Sequence, residues 1–245
     1  MGKTILFVFA HPDDESFACG GTMAKYAERG HDVYLVCATS GCKGKSGEYS
    51  LACRQEKARH RETELRTAAE VLGIKEVILY RYPDGALAEQ CVRQLSEQIA
   101  GTIAGLKPHT VVTFPPDGVT GHPDHIAISR AVEEAVKRTE PLLPEPPDLW
   151  FVSIPHYYDY CEDRGPSDRC PITARVDIRA FRTRKGRALQ AHRSQIYSVN
   201  RAYPGVMEGD YKVICPYEYY TLVRTGGRAI PVPGSACEQP VLELV

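Results

Sequence analysis

The chain has 245 residues, of which 43% are hydrophobic and 25% charged, enough for one α/β domain with additions or at most two small ones. A formal net charge of -1 argues against a nucleic-acid or anionic-membrane partner, since either usually needs a basic face. Nine cysteines, odd in number and without a C-x-x-C pair, fit reduced thiols in a cytoplasm better than a disulfide framework.

The N-terminus offers only a short apolar run before acids appear, so neither a signal peptide nor a membrane span is expected there. Strand signals then alternate with helix signals over the first 140 residues. The strand runs are Thr4–Ala10, Asp32–Ala38, Glu76–Tyr80 and Thr110–Phe114, several of them continuously apolar, as strands covered on both faces are. Between them lie amphipathic segments. Phe17–Arg29 ends at Gly30, and Lys57–Leu72 carries Leu65, Ala68, Ala69 and Leu72 on one stripe before Gly73. Glu89–Leu106 presents Val92, Leu95, Ile99 and Ile103, and Asp124–Thr139 presents Ile128, Ala131, Val132, Ala135 and Val136.

Strand, helix and strand in repetition predict a doubly wound, mostly parallel sheet with right-handed crossovers and an order near 3-2-1-4-5. A Pro-rich loop, Glu140 to Asp148, leads to a fifth strand at Leu149–Ile154. An irregular excursion over 155–171 follows. The chain then reads as a strand over 172–178, a helix over 180–196 and a last strand over 217–223. Within that helix the basic run Arg182 to Arg187 reads as a solvated face. We expect one domain over 1–225 and a Pro/Gly-rich tail over 226–245.

Chemistry concentrates in two places. His11, Asp13 and Asp14 follow the first strand immediately, with Glu15 beside them, and Gly121-His122-Pro123-Asp124-His125 follows the fourth. In the expected order strands one and four are neighbours, and the strand order reverses between them. Both clusters therefore face one crevice at the carboxyl ends of the strands. Carboxylates at that density repel unless a cation, a proton or strong donors hold them. Two histidines and a carboxylate with an open position describe a catalytic zinc site or the facial triad of non-haem iron. Taken singly the residues are less telling, because His11 could be a surface histidine and Asp124 a helix cap.

Rival readings are weaker. Strand one runs into HPDDES and not into G-x-G-x-x-G, so a pyrophosphate would meet acids. Thr39–Ser46 nearly spells a phosphate-binding loop, but Thr39 stands where the first glycine belongs; at most it is a lysine-containing active-site loop. A non-haem Fe(II) oxygenase shares the ligand types but usually rides on a β-barrel. A non-catalytic sugar- or nucleotide-binding module on this fold would need no acid/base pair such as Asp13 and His122.

Several stretches together resemble the LmbE-like (PIG-L type) zinc-dependent N-deacetylases. They are AHPDDE, the nearby GGT, RETELRTAAEVLG (Arg61 to Gly73), YPDG (Tyr82 to Gly85), GHPDH and AHRSQ (Ala191 to Gln195), spanning Ile5 to about Ile196. The resemblance implies a Rossmann-like hydrolase that removes an N-acetyl or other acyl group from an amino-sugar-containing small molecule, using a metal-activated water. It implies Zn2+, with Fe2+ compatible, on His11, Asp14 and His125. Asp13 would be the general base. A positively charged His122 would stabilise the oxyanion and protonate the leaving amine, with Asp124 orienting it. The sugar-binding positions fall on Arg61 and Asp84, while His192 reads as a packing residue. One departure stands out: Thr120 occupies a position where relatives often carry a carbonyl-polarising tyrosine, and Pro155 to Tyr160 is a candidate replacement source.

Overall fold

The computed structural model describes residues 2–90, 92–155, 171–231 and 243–244. Its elements follow the expected alternation: β1 (Thr4–Phe9), α1 (Asp14–Glu28), β2 (Asp32–Thr39), α2 (Arg54–Leu72), β3 (Glu76–Tyr82), α3 (Val92–Leu106), β4 (Thr110–Thr113), α4 (Pro123–Thr139) and β5 (Asp148–Ser153). β6 (Ala174–Asp177), α5 (Arg182–Ala191), α6 (Ile196–Ala202), β7 (Tyr217–Thr225) and the short β8 (Arg228–Ala229) complete it. The eight strands form one sheet in the order β3-β2-β1-β4-β5-β7-β6, with β8 on β7. The first five are parallel; β7 runs antiparallel to both β5 and β6.

The order 3-2-1-4-5 is therefore present, extended by C-terminal strands. Ile5 to Phe9 are fully buried, because β1 lies mid-sheet with helices on both faces. α1, α2 and α5 pack against one another, and α3 packs on α4, the double cover that a parallel sheet requires.

Three local departures have physical causes. α1 begins at Asp14 and not at Phe17, so Asp14 and Glu15 occupy its first turn, where negative charge is favoured. Within α1, Cys19 leaves helical geometry (φ -147°, ψ 25°), and the kink frees main-chain donors. The Glu218 carboxylate of β7 accepts the N–H groups of Gly21 and Thr22 at 3.0 and 2.7 Å. A Cβ at Gly21 would lie 2.6 Å from Ile178 Cδ1, which accounts for the glycine. Finally, the expected helix over 180–196 breaks into α5, a 3-10 turn at Arg193–Gln195 and α6. The excursion over 155–171 falls almost wholly outside the described residues, as does the tyrosine source sought at 157–160. At the other terminus, Glu243 and Leu244 return to α1: Glu243 pairs with Lys25 and Arg29, and Leu244 is 3% exposed.

Candidate active site

β1 and β4 are hydrogen-bonded neighbours, and each hands its chain to a loop at its carboxyl end. After Ala10 the backbone turns sharply, with Asp13 in the left-handed region at φ 114°, in the loop that carries His11, Asp13 and Asp14. After β4 the loop to α4 turns through Gly118 (φ 67°). A Cβ there would lie 2.7 Å from the Cβ of His125, so the glycine lets the loop close over that histidine. His122 caps α4: its Nδ1 accepts the Asp124 N–H at 3.1 Å.

The two loops bring three donors together. His11 Nδ1 lies 3.2 Å from His125 Nε2 and 3.6 Å from Asp14 Oδ2, while His125 Nε2 lies 3.4 Å from Asp14 Oδ1. A tetrahedral ion with bonds of about 2.1 Å separates its ligands by about 3.4 Å, close to the His11–His125 separation, while Asp14 reaches the two imidazoles through different carboxylate oxygens. Their outward ring nitrogens are fixed. His125 Nδ1 faces Gly118 O at 3.1 Å, and its ring stacks on Phe114 with centroids 4.1 Å apart. His11 Nε2 faces Asp124 Oδ2 at 3.1 Å and Asp84 Oδ1 at 3.3 Å. Both outward partners are acceptors, so in the neutral ring the proton goes to the outward nitrogen and the inward lone pair is left for an ion.

Two other donor groups also gather, His11 with His122 and His125, and His11 with Asp84 and Asp124. The second is already satisfied by protein donors. The Asp124 carboxylate accepts from Gly85 N and Leu87 N at 2.7 and 3.0 Å, and Asp84 accepts from Lys43 N. In the first, His122 stands exposed at the mouth with Nδ1 already engaged by the Asp124 N–H.

Charge is distributed unevenly across the cluster. Burial raises the Asp13 carboxyl to about 6; the Arg61 cation opposes the rise and the Asp14 charge adds to it. Burial would raise Asp14 too, but the charge on His125 and hydrogen bonds from both imidazoles hold it far below the ordinary range. Burial opposes charge on His11, yet hydrogen bonds to Asp124, Asp14 and Asp84 lift it well above an ordinary histidine. His122 goes the other way, lowered by burial and by the neighbouring imidazoles.

Several expected roles change in this geometry. His122 was expected to be cationic, but its surroundings favour the neutral ring; with Nδ1 accepting, the proton sits on Nε2, free to be donated. The Asp124 carboxylate does not orient His122. It reaches His11, and only the Asp124 main-chain N–H reaches His122, because α4 starts between them and turns the side chain inward. Arg61 and Asp84 are 3% and 7% exposed and engage the site itself rather than open space. The Arg61 guanidinium bonds Asp13 Oδ2 at 3.2 Å, Gly41 O at 2.8 Å and Pro12 O. Thr120 Oγ1 accepts the His122 N–H at 3.3 Å and lies 3.4 Å from His125 Nδ1, so it supports both histidines.

Sequence reasoning noted Glu15 in the acidic run but gave it no role, and it passed over Glu64. Glu15 is buried against His192, and Glu64 is buried against Ser194. The spacing of Glu64 one turn after Arg61 and the AHRSQ stretch were the available signals.

Comparison with known proteins gives a consistent result. Residues 6–136 match the family PIG-L: GlcNAc-PI de-N-acetylase. A Bacillus anthracis protein named probable N-acetyl-alpha-D-glucosaminyl L-malate deacetylase 2 is 33% identical over 194 residues, covering 79% of this chain and 81% of that protein. The N,N'-diacetylchitobiose deacetylase of Pyrococcus horikoshii superposes with a TM-score of 0.69 at 22% identity, over 91% of this chain and 84% of that one. GalB, the 4-carboxy-2-hydroxymuconate hydratase of Pseudomonas putida, does so with a TM-score of 0.63 at 22% identity, over 94% and 98% of the two chains. At that identity the two solved structures establish the fold and no more. The family match and the Bacillus relative go further, and on them the chain belongs to the PIG-L (LmbE-like) family.

Proposed function

We propose that the protein is a metal-dependent hydrolase that removes the N-acetyl group from a small amino-sugar conjugate. The observation that carries this reading is one acceptor and one donor beside the three-donor cluster: Asp13, next to Asp14 in the chain and raised to about 6, and His122, whose ring lies 4.8 Å from His11 and 5.0 Å from His125 with Nδ1 accepting, so that Nε2 carries the proton. The naming of the Bacillus relative supports it. A binding module has no use for that pair, and the parallel, helix-covered sheet speaks against an iron oxygenase.

A zinc or ferrous ion on His11, Asp14 and His125 would supply Lewis acidity, polarising the amide carbonyl and making water acidic near pH 7. Asp13 accepts the proton of the attacking water, and Arg61 holds its carboxylate in line. The buried His11–Asp124–Asp84 contacts keep the imidazole aimed. His122 donates from Nε2 to the developing oxyanion, a role worth roughly 3 kcal/mol for comparable donors. As the C–N bond breaks, the proton gathered by Asp13 passes to the leaving amine, giving acetate and the free amino sugar. Arg61 and Asp84 act through Asp13 and His11 in this scheme rather than by gripping the sugar.

Among the described residues no helix is long and apolar enough to cross a membrane, and the described cysteines are free thiols; both support action on a cytoplasmic small molecule. The test is acetate release from N-acetyl-α-D-glucosaminyl L-malate and related conjugates by metal-reconstituted protein, with metal content measured alongside. We expect about one ion per chain and release that Asp13→Asn slows by on the order of 100- to 10,000-fold. Full turnover by Asp13→Asn would overturn the mechanism, and absence of release from every N-acetylated amino sugar would overturn the function.

A further inference from the structure

The AHRSQ stretch has no part in the chemistry above, yet it lies directly behind it. We propose that Glu15 and His192 are positioning residues for the deacetylation: His192 fixes the Glu15 carboxylate, and Glu15 holds the Asp13 main chain in the conformation that aims its side chain. This rests on the function proposed above.

The geometry is specific. Glu15 Oε2 accepts the Asp13 N–H at 3.0 Å. Glu15 Oε1 accepts from Ser16 Oγ at 2.5 Å and lies 2.7 Å from His192 Nε2. Glu15 is 1% exposed and His192 0%, so neither meets substrate. The residue they hold has a strained backbone. Asp13 sits at φ 114°, a region that is costly for a non-glycine residue and persists only when its surroundings impose it. Holding the N–H of Asp13 on a buried carboxylate is such an imposition.

The same stretch reaches the other end of Asp13. Ser194 gives its N–H and its hydroxyl to Glu64, at 2.7 and 2.6 Å. Glu64 stands one helical turn from Arg61, whose guanidinium grips the Asp13 carboxylate. Gln195 Nε2 donates to Lys45 O at 2.9 Å, steadying the loop whose Gly41 carbonyl receives Arg61. His192 thus reaches the Asp13 backbone through Glu15, while Ser194 and Gln195 bind the helix and the loop that carry Arg61 and its Gly41 partner.

A space-filling role would suit an apolar side chain better. His192 Nδ1 is buried without a hydrogen-bond partner, which destabilises the fold. Retaining an imidazole there makes sense if its Nε2–H is needed.

His192→Leu fills the space without the donor, and His192→Gln restores a donor near Nε2. For acetate release from the same N-acetylglucosaminyl conjugate, His192→Leu should lose on the order of 10- to 100-fold in kcat with KM nearly unchanged. His192→Gln should recover part of the loss. Asp13→Asn/His192→Leu should be no slower than Asp13→Asn alone, because the pair acts on one group. A readout independent of turnover is the 15N–1H resonance of the Asp13 amide, which should move in His192→Leu and return towards its place in His192→Gln. Glu15→Gln carries the same tests should His192→Leu not fold. An unmoved Asp13 amide, or losses that multiply in the double variant, overturns the proposal. If the wild-type protein released no acetate, the function would fall while the amide resonance still decided the coupling.

Discussion

Asp13 is subject to three constraints at once: a strained backbone, an arginine on its carboxylate and a like charge next door. Because it must be ionised to take a proton, kcat/KM should fall as pH drops through about 6, the value to which burial raises it. Arg61 works against that rise, so Arg61→Met should move the acid limb of the profile to higher pH; a limb that stays put would refute the assignment. His122→Phe should retain metal and lose on the order of 100- to 1,000-fold in kcat, whereas His125→Ala should lose the metal. The residues of these predictions were legible because acids and histidines crowd two strand ends, an arrangement a surface turn has no use for. What the sequence could not convey was direction. Asp124 serves one histidine through its side chain and another through its backbone, and no spacing rule distinguishes the two. The resemblance offered Arg61 and Asp84 as substrate contacts; their burial against Gly41, Lys43 and His11 is a tertiary property that no spacing conveys.

At the scale of elements, the parallel strands and their helices were readable from continuous apolar runs and from glycines closing helices, such as Gly73 in the left-handed region at φ 77°. The break after Ala191 was not readable, since it follows from side chains committed elsewhere. α5 is tied down instead by a buried ion pair. Lys185 Nζ donates to Glu218 Oε1 at 2.7 Å, with 3% and 5% of these residues exposed. Lys185→Met should cost about 3–5 kcal/mol by stranding the carboxylate, seen as an earlier denaturant midpoint. The fall should be smaller in Lys185→Met/Glu218→Gln, which leaves no buried charge. Burial disfavours the Lys185 ammonium, but the Glu218 charge outweighs it and raises its pKa above 10.5. Its contribution is therefore intact at neutral pH and begins to fade only as pH climbs past 10.5. Stability in the Met variant should accordingly lose less between neutral pH and pH 11.

Across the whole molecule, the sheet as far as β5 followed from alternation alone. The antiparallel addition of β7 and β6 did not, because β-strand pairing across an excursion leaves no local mark. The return of Glu243 and Leu244 to the far end of α1 was equally unreadable within a Pro/Gly-rich tail. Those two residues dock where β4 begins, Thr110 Oγ1 donating to Leu244 O at 3.4 Å, at the end of the sheet opposite the crevice. Truncation after Pro231 should therefore lower Tm by about 4–8 °C, the equivalent of one buried leucine side chain at about 2 kcal/mol, with kcat unchanged. The brace at His192 to Gln195 also has a consequence for synthesis. The three groups proposed to hold an ion are all translated by His125, but the AHRSQ residues proposed to set the aim of Asp13 follow almost seventy codons later. If both proposals hold, a chain that ends between them keeps every ion ligand and lacks the brace, which separates the residues for loading from those for activity along the gene.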